Sequence, residues 1–214
     1  MLIRSALSRI AVVALLSAAP ASAEVVGNAV TVRPAAQTEN PRGAVILARG
    51  GQVNAFDKVR TSVDGAVTLR FRDESMLDVG PGSVVTIDRF VYNPDNTART
   101  AAITMTKGTF RWVSGRSPKE AYDLKTPATT LGIRGTDFTV IADLGSTIVE
   151  LKSGAVRACS PVSGRCNEIN RPGQGVRIWN DGRIEGFNPG TLMHQQVRRM
   201  AHHLRMPGQH RGAG

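Results

Sequence analysis

Hydrophobic and polar positions alternate in short runs between residues 44 and 187. Val67, Leu69 and Phe71 fall on one side of an extended chain, with polar residues between them. Because successive side chains of a β-strand point to opposite faces, this period predicts one buried face and one solvated face. Similar runs occupy residues 109–113, 138–142, 147–151 and 176–179.

Turn-forming dipeptides separate these runs, among them Gly50-Gly51, Asp64-Gly65 and Asp181-Gly182. Two longer polar stretches, residues 93–99 and 114–121, predict exposed loops. Many short strands bounded by turns predict an all-β domain over residues 44–187. The period alone leaves a sandwich, a barrel and a solenoid equally open.

A different period follows residue 190. Four apolar residues are spaced by four, three and four positions, which is one stripe of an α-helix. They are Met193, Val197, Met200 and Leu204. Thr191 precedes the stripe and is a good N-cap. We expect a short helix over residues 192–204 inside a basic tail, residues 188–214, whose end is disordered.

The first 23 residues have the pattern of a secretory signal peptide. A basic, acid-free start leads into an apolar run at residues 10–19 and then into Ala21-Ser22-Ala23. The run is too short to span a bilayer as a stable helix. We expect cleavage after Ala23, a periplasmic or secreted protein, and a lead-in segment over residues 24–43 with at most an edge strand. An uncleaved membrane anchor is the alternative.

Cys159 and Cys166 are the only cysteines. They flank a turn-rich segment, and cysteines of exported proteins commonly form disulfides. The spacing predicts a disulfide at the base of a hairpin, which agrees with export.

The formal net charge is +10. Residues 1–23 hold two arginines and residues 191–214 hold four, without acids in either segment, which leaves +4 for residues 24–190. A basic excess concentrated in the tail argues against a nucleic-acid-binding domain. The tail helix is expected to pack on an open end of the β domain; weak contact with a membrane surface is the alternative.

Candidate catalytic and metal-binding side chains are few. All four histidines lie in the tail, at His194, His202, His203 and His210. The β domain therefore lacks a Ser-His-Asp or Cys-His arrangement. Because adjacent histidines on a helix point about 100° apart, a solvated tail is favoured over a metal site. Nucleotide-binding motifs are also missing, so we predict no cofactor.

An acidic turn contains Asp73 and Ser75. Such a turn usually forms hydrogen bonds with its own backbone. Asp73 and Asp78 form a weak candidate for paired catalytic carboxylates, because one lies at a turn and the other in a strand without pocket residues around them. The sequence thus favours a protein that is not an enzyme.

Arg134 lies between Gly132 and Gly135. Glycines this close permit positive φ or close backbone approach. A guanidinium with five donors can satisfy several carbonyl groups, so we expect Arg134 to be a buried structural residue. Its replacement by alanine should unfold the domain or strongly destabilise it. A ligand-binding arginine is the alternative.

These residues carry a resemblance to the FecR domain family, which extends over residues 44–184. Its signature includes Thr126, Pro127, Ile133, Arg134, Gly135, Thr136, Phe138 and Val140. The upstream pattern includes Asp57, Val59, Thr61, Leu69, Phe71, Asp73, Ser75, Leu77, Pro81 and Ser83, and the downstream pattern Val149, Gly154, Val156, Gly173 and Gln174. Glu74 departs from the family, which commonly has glycine there, so the geometry of this turn is in question.

The resemblance implies an all-β domain with a solenoid-like or rolled stack of short strands. It also implies an envelope signalling module, since family members are single-span anti-sigma regulators that sense an outer-membrane transporter, often for ferric siderophores. We expect this protein to depart from that plan, without the cytoplasmic sigma-binding domain, a stable span or the second periplasmic subdomain. We therefore expect a non-enzymatic module that contacts an envelope protein, linked to signalling or iron-uptake regulation; a structural protein binding polysaccharide or cell wall is the alternative.

Overall fold

A computed structural model of the chain describes residues 24–41 and 43–204. Strands make up 58% of the structure, which confirms the mostly β prediction. The strands are β1 Val25–Arg33, β2 Ala36–Asn40, β3 Gly43–Ile46, β4 Gln52–Asn54, β5 Lys58–Thr61, β6 Ala66–Phe71, β7 Met76–Val79, β8 Val84–Tyr92, β9 Ala98–Val113, β10 Tyr122–Lys125, β11 Thr130–Ala142, β12 Ser146–Cys159, β13 Cys166–Ile169, β14 Gly175–Trp179 and β15 Ile184–Phe187. The predicted signal peptide and the end of the tail lie outside the described residues.

All fifteen strands belong to one connected sheet. The long strand β9 pairs with β8 and β10 along its first part, residues 98–107, and with β7 and β11 along residues 108–113. The rings of Phe71 in β6 and Phe90 in β8 stack at 4.6 Å although these strands do not pair. Two parts of the sheet therefore face each other across the core. The pairing describes an open sheet, and the predicted solenoid-like stack is not confirmed.

The predicted alternation of buried residues is confirmed in β6. Val67, Leu69 and Phe71 are buried, and Arg70 is exposed. Thr68 is also buried, although it lies on the face predicted to be wet. Its hydroxyl donates to Asp78 in β7 at 2.7 Å, so a hydrogen bond compensates for its burial.

The segment 24–43 is more than the predicted lead-in. β1 pairs with both β4 and β6, and β2 pairs with both β3 and β5. Val26 and Ala29 are fully buried. The expectation of at most an edge strand is therefore wrong, because the short valine patches of this segment complete the core.

The tail forms the α-helix α1, Leu192–Met200, followed by a 3₁₀ turn, Ala201–Leu204. The Thr191 side chain accepts from the backbone N–H of His194, which confirms the predicted N-cap. Val197 is buried against Ile141 and Ile148, so the helix packs on the outer face of β11 and β12 rather than on an open end of the sheet. Within residues 24–41 and 43–204, the structure has no helix with the length and apolar character needed to cross a membrane.

Cys159 and Cys166 form a disulfide, as predicted. The two residues face each other at the ends of β12 and β13, with a Cα–Cα distance of 4.0 Å. The disulfide therefore closes the hairpin that these strands form.

Candidate binding groove

Strands β11 and β12 pair along most of their length but become irregular at the same place. The register shifts between Arg134 and Asp137 in β11, opposite Ser153 and Ala155 in β12. Gly135 and Gly154 have positive φ angles of 55° and 85°. A Cβ atom on Gly154 would collide with the carbonyl oxygen of Gly135. The crossing requires glycine at 154, because only glycine combines this backbone conformation with this approach.

Arg134 is exposed at this crossing. Its side chain makes no hydrogen bond or ion pair with any residue that the structure describes, so the predicted role as a buried carbonyl-satisfying arginine is wrong. Ile133 and Thr136 are buried, whereas position 134 faces outward. Backbone groups near the crossing find other partners: Ser114 donates its N–H to the Thr136 carbonyl at 2.9 Å and accepts the Thr136 N–H at 3.1 Å.

Arg134 borders an open groove of about 510 Å³, hereafter the Arg134 groove. Its apolar lining comes from Tyr122, Ile133, Val156 and Ile169, each at most 5% exposed. Its charged lining comes from Lys119, Glu120, Arg134, Arg157 and Glu168. An apolar floor with a charged rim is suited to a peptide that combines apolar and charged side chains.

Two of the three rim cations have an anionic neighbour. Lys119 lies 3.6 Å from Glu120, and Arg157 lies 4.0 Å from Glu168. Among the described residues, Arg134 has no such neighbour. Its planar guanidinium remains available for a bidentate contact with a carboxylate.

The backbone beside Arg134 also has an open side. β10 pairs with β11 only at Leu131 and Thr130, and β9 pairs with it from Asp137 onward. Residues 132–135 thus have no neighbour on that side among the strands that the structure describes. Unpaired backbone groups of this kind can accept an extended peptide.

A buried carboxylate supports one wall of the groove. Asp73 is fully buried and accepts hydrogen bonds from Ser75 N at 3.0 Å, Ser75 Oγ at 2.6 Å, Ser117 Oγ at 2.7 Å and Tyr122 Oη at 2.6 Å. Burial, together with the hydrogen bond to Asp73, raises the pKa of Tyr122 to about 12, so the phenol stays protonated and donates. The predicted hydrogen bond between the Asp73–Ser75 turn and its own backbone is present.

Asp73 and Asp78 are not brought together. Asp78 lies in β7 between the buried core residues Leu77 and Val79, and its Oδ1 accepts from Thr68 on the outer face. The two carboxylates share no hydrogen-bonding partner among the described residues. This placement offers no support for a paired acid and base.

The other signature residues contribute to the turn and the core. The Thr126 hydroxyl lies 2.7 Å from that of Thr147 and accepts from Thr129 N at 3.1 Å, which fixes the turn between β10 and β11. Pro127 is exposed in this turn, and Phe138 is fully buried.

Sequence reasoning missed the groove and most partners of Asp73. Ser117 and Lys119 lie in the stretch predicted only as an exposed loop, and no local pattern marks them as partners of residues far away in the chain. It also missed the ion pair of Arg111 with Asp137, at 2.6 Å between Nη2 and Oδ2. The alternation of β9 around Arg111 was visible, but its partner in β11 depends on strand pairing.

Residues 57–157 match the family model described as FecR protein, so this part of the chain is a FecR domain. Two crystal structures of a candidate anti-sigma factor from Parabacteroides distasonis ATCC 8503, at 2.50 and 1.65 Å resolution, each align with a TM-score of 0.49 and 16% sequence identity. Each alignment covers 62% of this chain and 59% of that chain, so the match spans about three fifths of the relative's length. No curated protein matches this sequence.

Proposed function

We propose that this protein is an exported, non-enzymatic regulatory module whose Arg134 groove binds an acidic, extended segment of a partner protein. The FecR domain supports a role in the regulation of signalling. The observation that carries the binding proposal is the exposed Arg134 guanidinium, which borders an apolar floor and lacks an anionic neighbour among the described residues.

The chemistry of the groove defines the ligand segment. A carboxylate of the segment binds Arg134, where a charge-assisted pair contributes both affinity and orientation. An apolar side chain next to it covers Ile133, Val156 and Ile169. The open backbone of residues 132–135 lets the segment add hydrogen bonds of the β type.

The binding test uses a defined probe rather than an unknown partner. A fluorescent ten-residue peptide of alternating Glu and Val is titrated against the full protein, beside the same peptide with Lys in place of Glu. We expect saturable binding of the acidic peptide alone, weakening as salt rises. The Arg134→Glu variant should lose at least about tenfold in affinity, because the charge at the rim is reversed.

Arg89→Glu is the matched control. Arg89 is also an exposed arginine on a strand, β8, and it does not line the groove. The change in net charge is the same, so equal loss of binding in both variants would point to long-range attraction and contradict the groove proposal. Retention of the wild-type protein and Arg134→Glu alike on isolated cell wall would favour the structural alternative.

Export is the second part of the proposal. The Cys159–Cys166 disulfide supports it, because such bonds persist in oxidising compartments. Mass spectrometry of the protein recovered from an envelope fraction should show Glu24 as its first residue. An intact Met1 on protein found with the cytosol would contradict export.

A further inference from the structure

Strand β3 is an exposed edge of the sheet. It pairs with β2 alone, and all four of its residues, Gly43–Ile46, are exposed. Val45 and Ile46 are 62% and 81% exposed. Proline and charged residues usually protect an edge strand from pairing with another chain, and this strand contains neither. It also lies outside residues 57–157, the part of the chain that matches the FecR family model.

The register shows which backbone groups face away from β2. Leu47 donates its N–H to the Ala36 carbonyl at 2.9 Å, which makes these two residues a hydrogen-bonded pair. In an antiparallel ladder such pairs alternate, so Val45 opposite Thr38 is the next one. The N–H and C=O groups of Ala44 and Ile46 therefore point outward, and no described strand receives them.

We propose that β3 pairs antiparallel with β3 of a second copy of this chain, about a two-fold axis at Val45. In this register Ala44 lies opposite Ile46 of the second copy, and Ile46 lies opposite Ala44 of the second copy. The four outward groups of each strand are then matched by four identical groups. The two Val45 side chains face each other in a non-hydrogen-bonded pair, where side chains are closest.

The charges around the edge are compatible with such pairing. On β2 the one charged residue is Glu39, and its carboxylate already lies 2.7 Å from Arg60 of β5. Glu39 lies opposite Ala44. In the dimer, both copies of β3 would therefore lie between Glu39 and Glu39 of the second copy. Within β2 and β3 no like charges meet, and an apolar side chain, Val45, becomes covered. Because the strands are short, we expect a reversible dimer.

Cross-linking tests the proposed axis. Residue 45 would face its own copy at about 4.5 Å between Cα atoms, within the range of a disulfide. The cysteines of the described structure are already bonded to each other, so a Val45→Cys variant introduces a free thiol. We expect it to form a covalent dimer at least about tenfold faster than Val63→Cys, a control in the turn between β5 and β6, where the native valine is even more exposed, 89% against 62%.

A second variant addresses the backbone bonds. Ile46→Pro removes an outward N–H without removing a bond to β2, so it should fold normally by circular dichroism and thermal melting. It should slow cross-linking of Val45→Cys to the rate of the Val63→Cys control, and it should abolish the concentration-dependent dimer of the native chain in sedimentation. Equal cross-linking rates at 45 and 63, or a dimer unaffected by Ile46→Pro, would overturn the proposal. Peptide binding at Arg134 is expected to survive Ile46→Pro, so the two proposals fail separately.

Discussion

The surroundings of Asp73 and those of Arg134 contrast sharply, although both residues belong to the FecR domain. Asp73 is fully buried and accepts four hydrogen bonds, whereas Arg134 is exposed and has no partner among the described residues. The two regions meet at Tyr122, whose hydroxyl donates to Asp73 and which also lines the groove. One charged residue of the domain stabilises the fold, and the other is available for binding.

We expect the largest loss of stability for Asp73→Ala, because this residue is at the centre of the buried region. The change removes the acceptor of Tyr122, which is buried, and of Ser117, which is half-buried. A buried hydroxyl group left without a partner costs about 1–3 kcal/mol. The variant also loses the hydrogen bonds that hold the turn at Ser75. In total we expect the free energy of unfolding to fall by about 4 kcal/mol or more. Urea unfolding followed by tryptophan fluorescence measures it.

Tyr122→Phe serves as the control for this loss. It removes one donor to Asp73 but keeps the ring that packs edge-on against Trp112 at 5.4 Å. We expect a loss of about 1–2 kcal/mol. If Asp73→Ala costs no more than Tyr122→Phe, the carboxylate does not organise this region.

The features that the sequence predicts correctly are formed by residues close together in the chain. The turn formed by Asp73 and Ser75, the cap at Thr191 and the disulfide depend on residues close together in the chain, and each forms as expected. Alternation also identifies the buried face of β6. Turn chemistry and period are properties of short segments, so a sequence reveals them.

The remaining part depends on which strands become neighbours. Arg134 was expected to be buried because the two nearby glycines suggested close packing, but the pleat of β11 turns it outward beside Ile133. The groove combines residues 119–122 with β11, β12 and β13, which no local pattern brings together. The inclusion of β1 and β2 in the sheet likewise results from long-range pairing.

Asp78 extends the comparison, because it is buried like Asp73 but only one of its two carboxylate oxygens accepts a hydrogen bond from a described residue. Its Oδ1 accepts from Thr68, while its Oδ2 is buried without a partner in the described structure. Burial raises the pKa of Asp78 to about 6, against the opposing effects of Thr68 and Arg111. The folded state thus holds this proton more tightly than the unfolded chain, so stability is lost as the pH rises from about 4 to about 6.

Asp78→Asn should therefore stabilise the protein at pH 8, by about 1–2 kcal/mol, and give no gain at pH 4. The amide cannot ionise, and its oxygen can still accept from Thr68. Thermal unfolding of both proteins across this pH range measures the difference. A gain of the same size at both pH values would show that ionisation of Asp78 is not its cause.

A smaller effect is expected at Glu74, between Asp73 and Ser75. Glu74 has a φ of 69°, a conformation that glycine adopts at lower cost. Glu74→Gly should raise the free energy of unfolding by about 0.5–1 kcal/mol, even though it removes an exposed ion pair with Arg116. Glu74→Ala removes the same ion pair but keeps the strain, so it should not stabilise; a gain in both variants would contradict this explanation.

The smallest effect on stability is expected for Arg134→Ala, within about 0.5 kcal/mol of the wild type, because an exposed side chain without partners is removed. Arg111→Ala is the matched comparison. Arg111 is 5% exposed and pairs with Asp137 at 2.6 Å, so its loss leaves a partly buried carboxylate and should cost about 3 kcal/mol. Thermal melting of both variants, beside binding of the acidic peptide, separates the two roles. Arg134→Ala should melt like the wild type and bind poorly; if it melts as early as Arg111→Ala, Arg134 stabilises the fold and the distinction between the two regions fails.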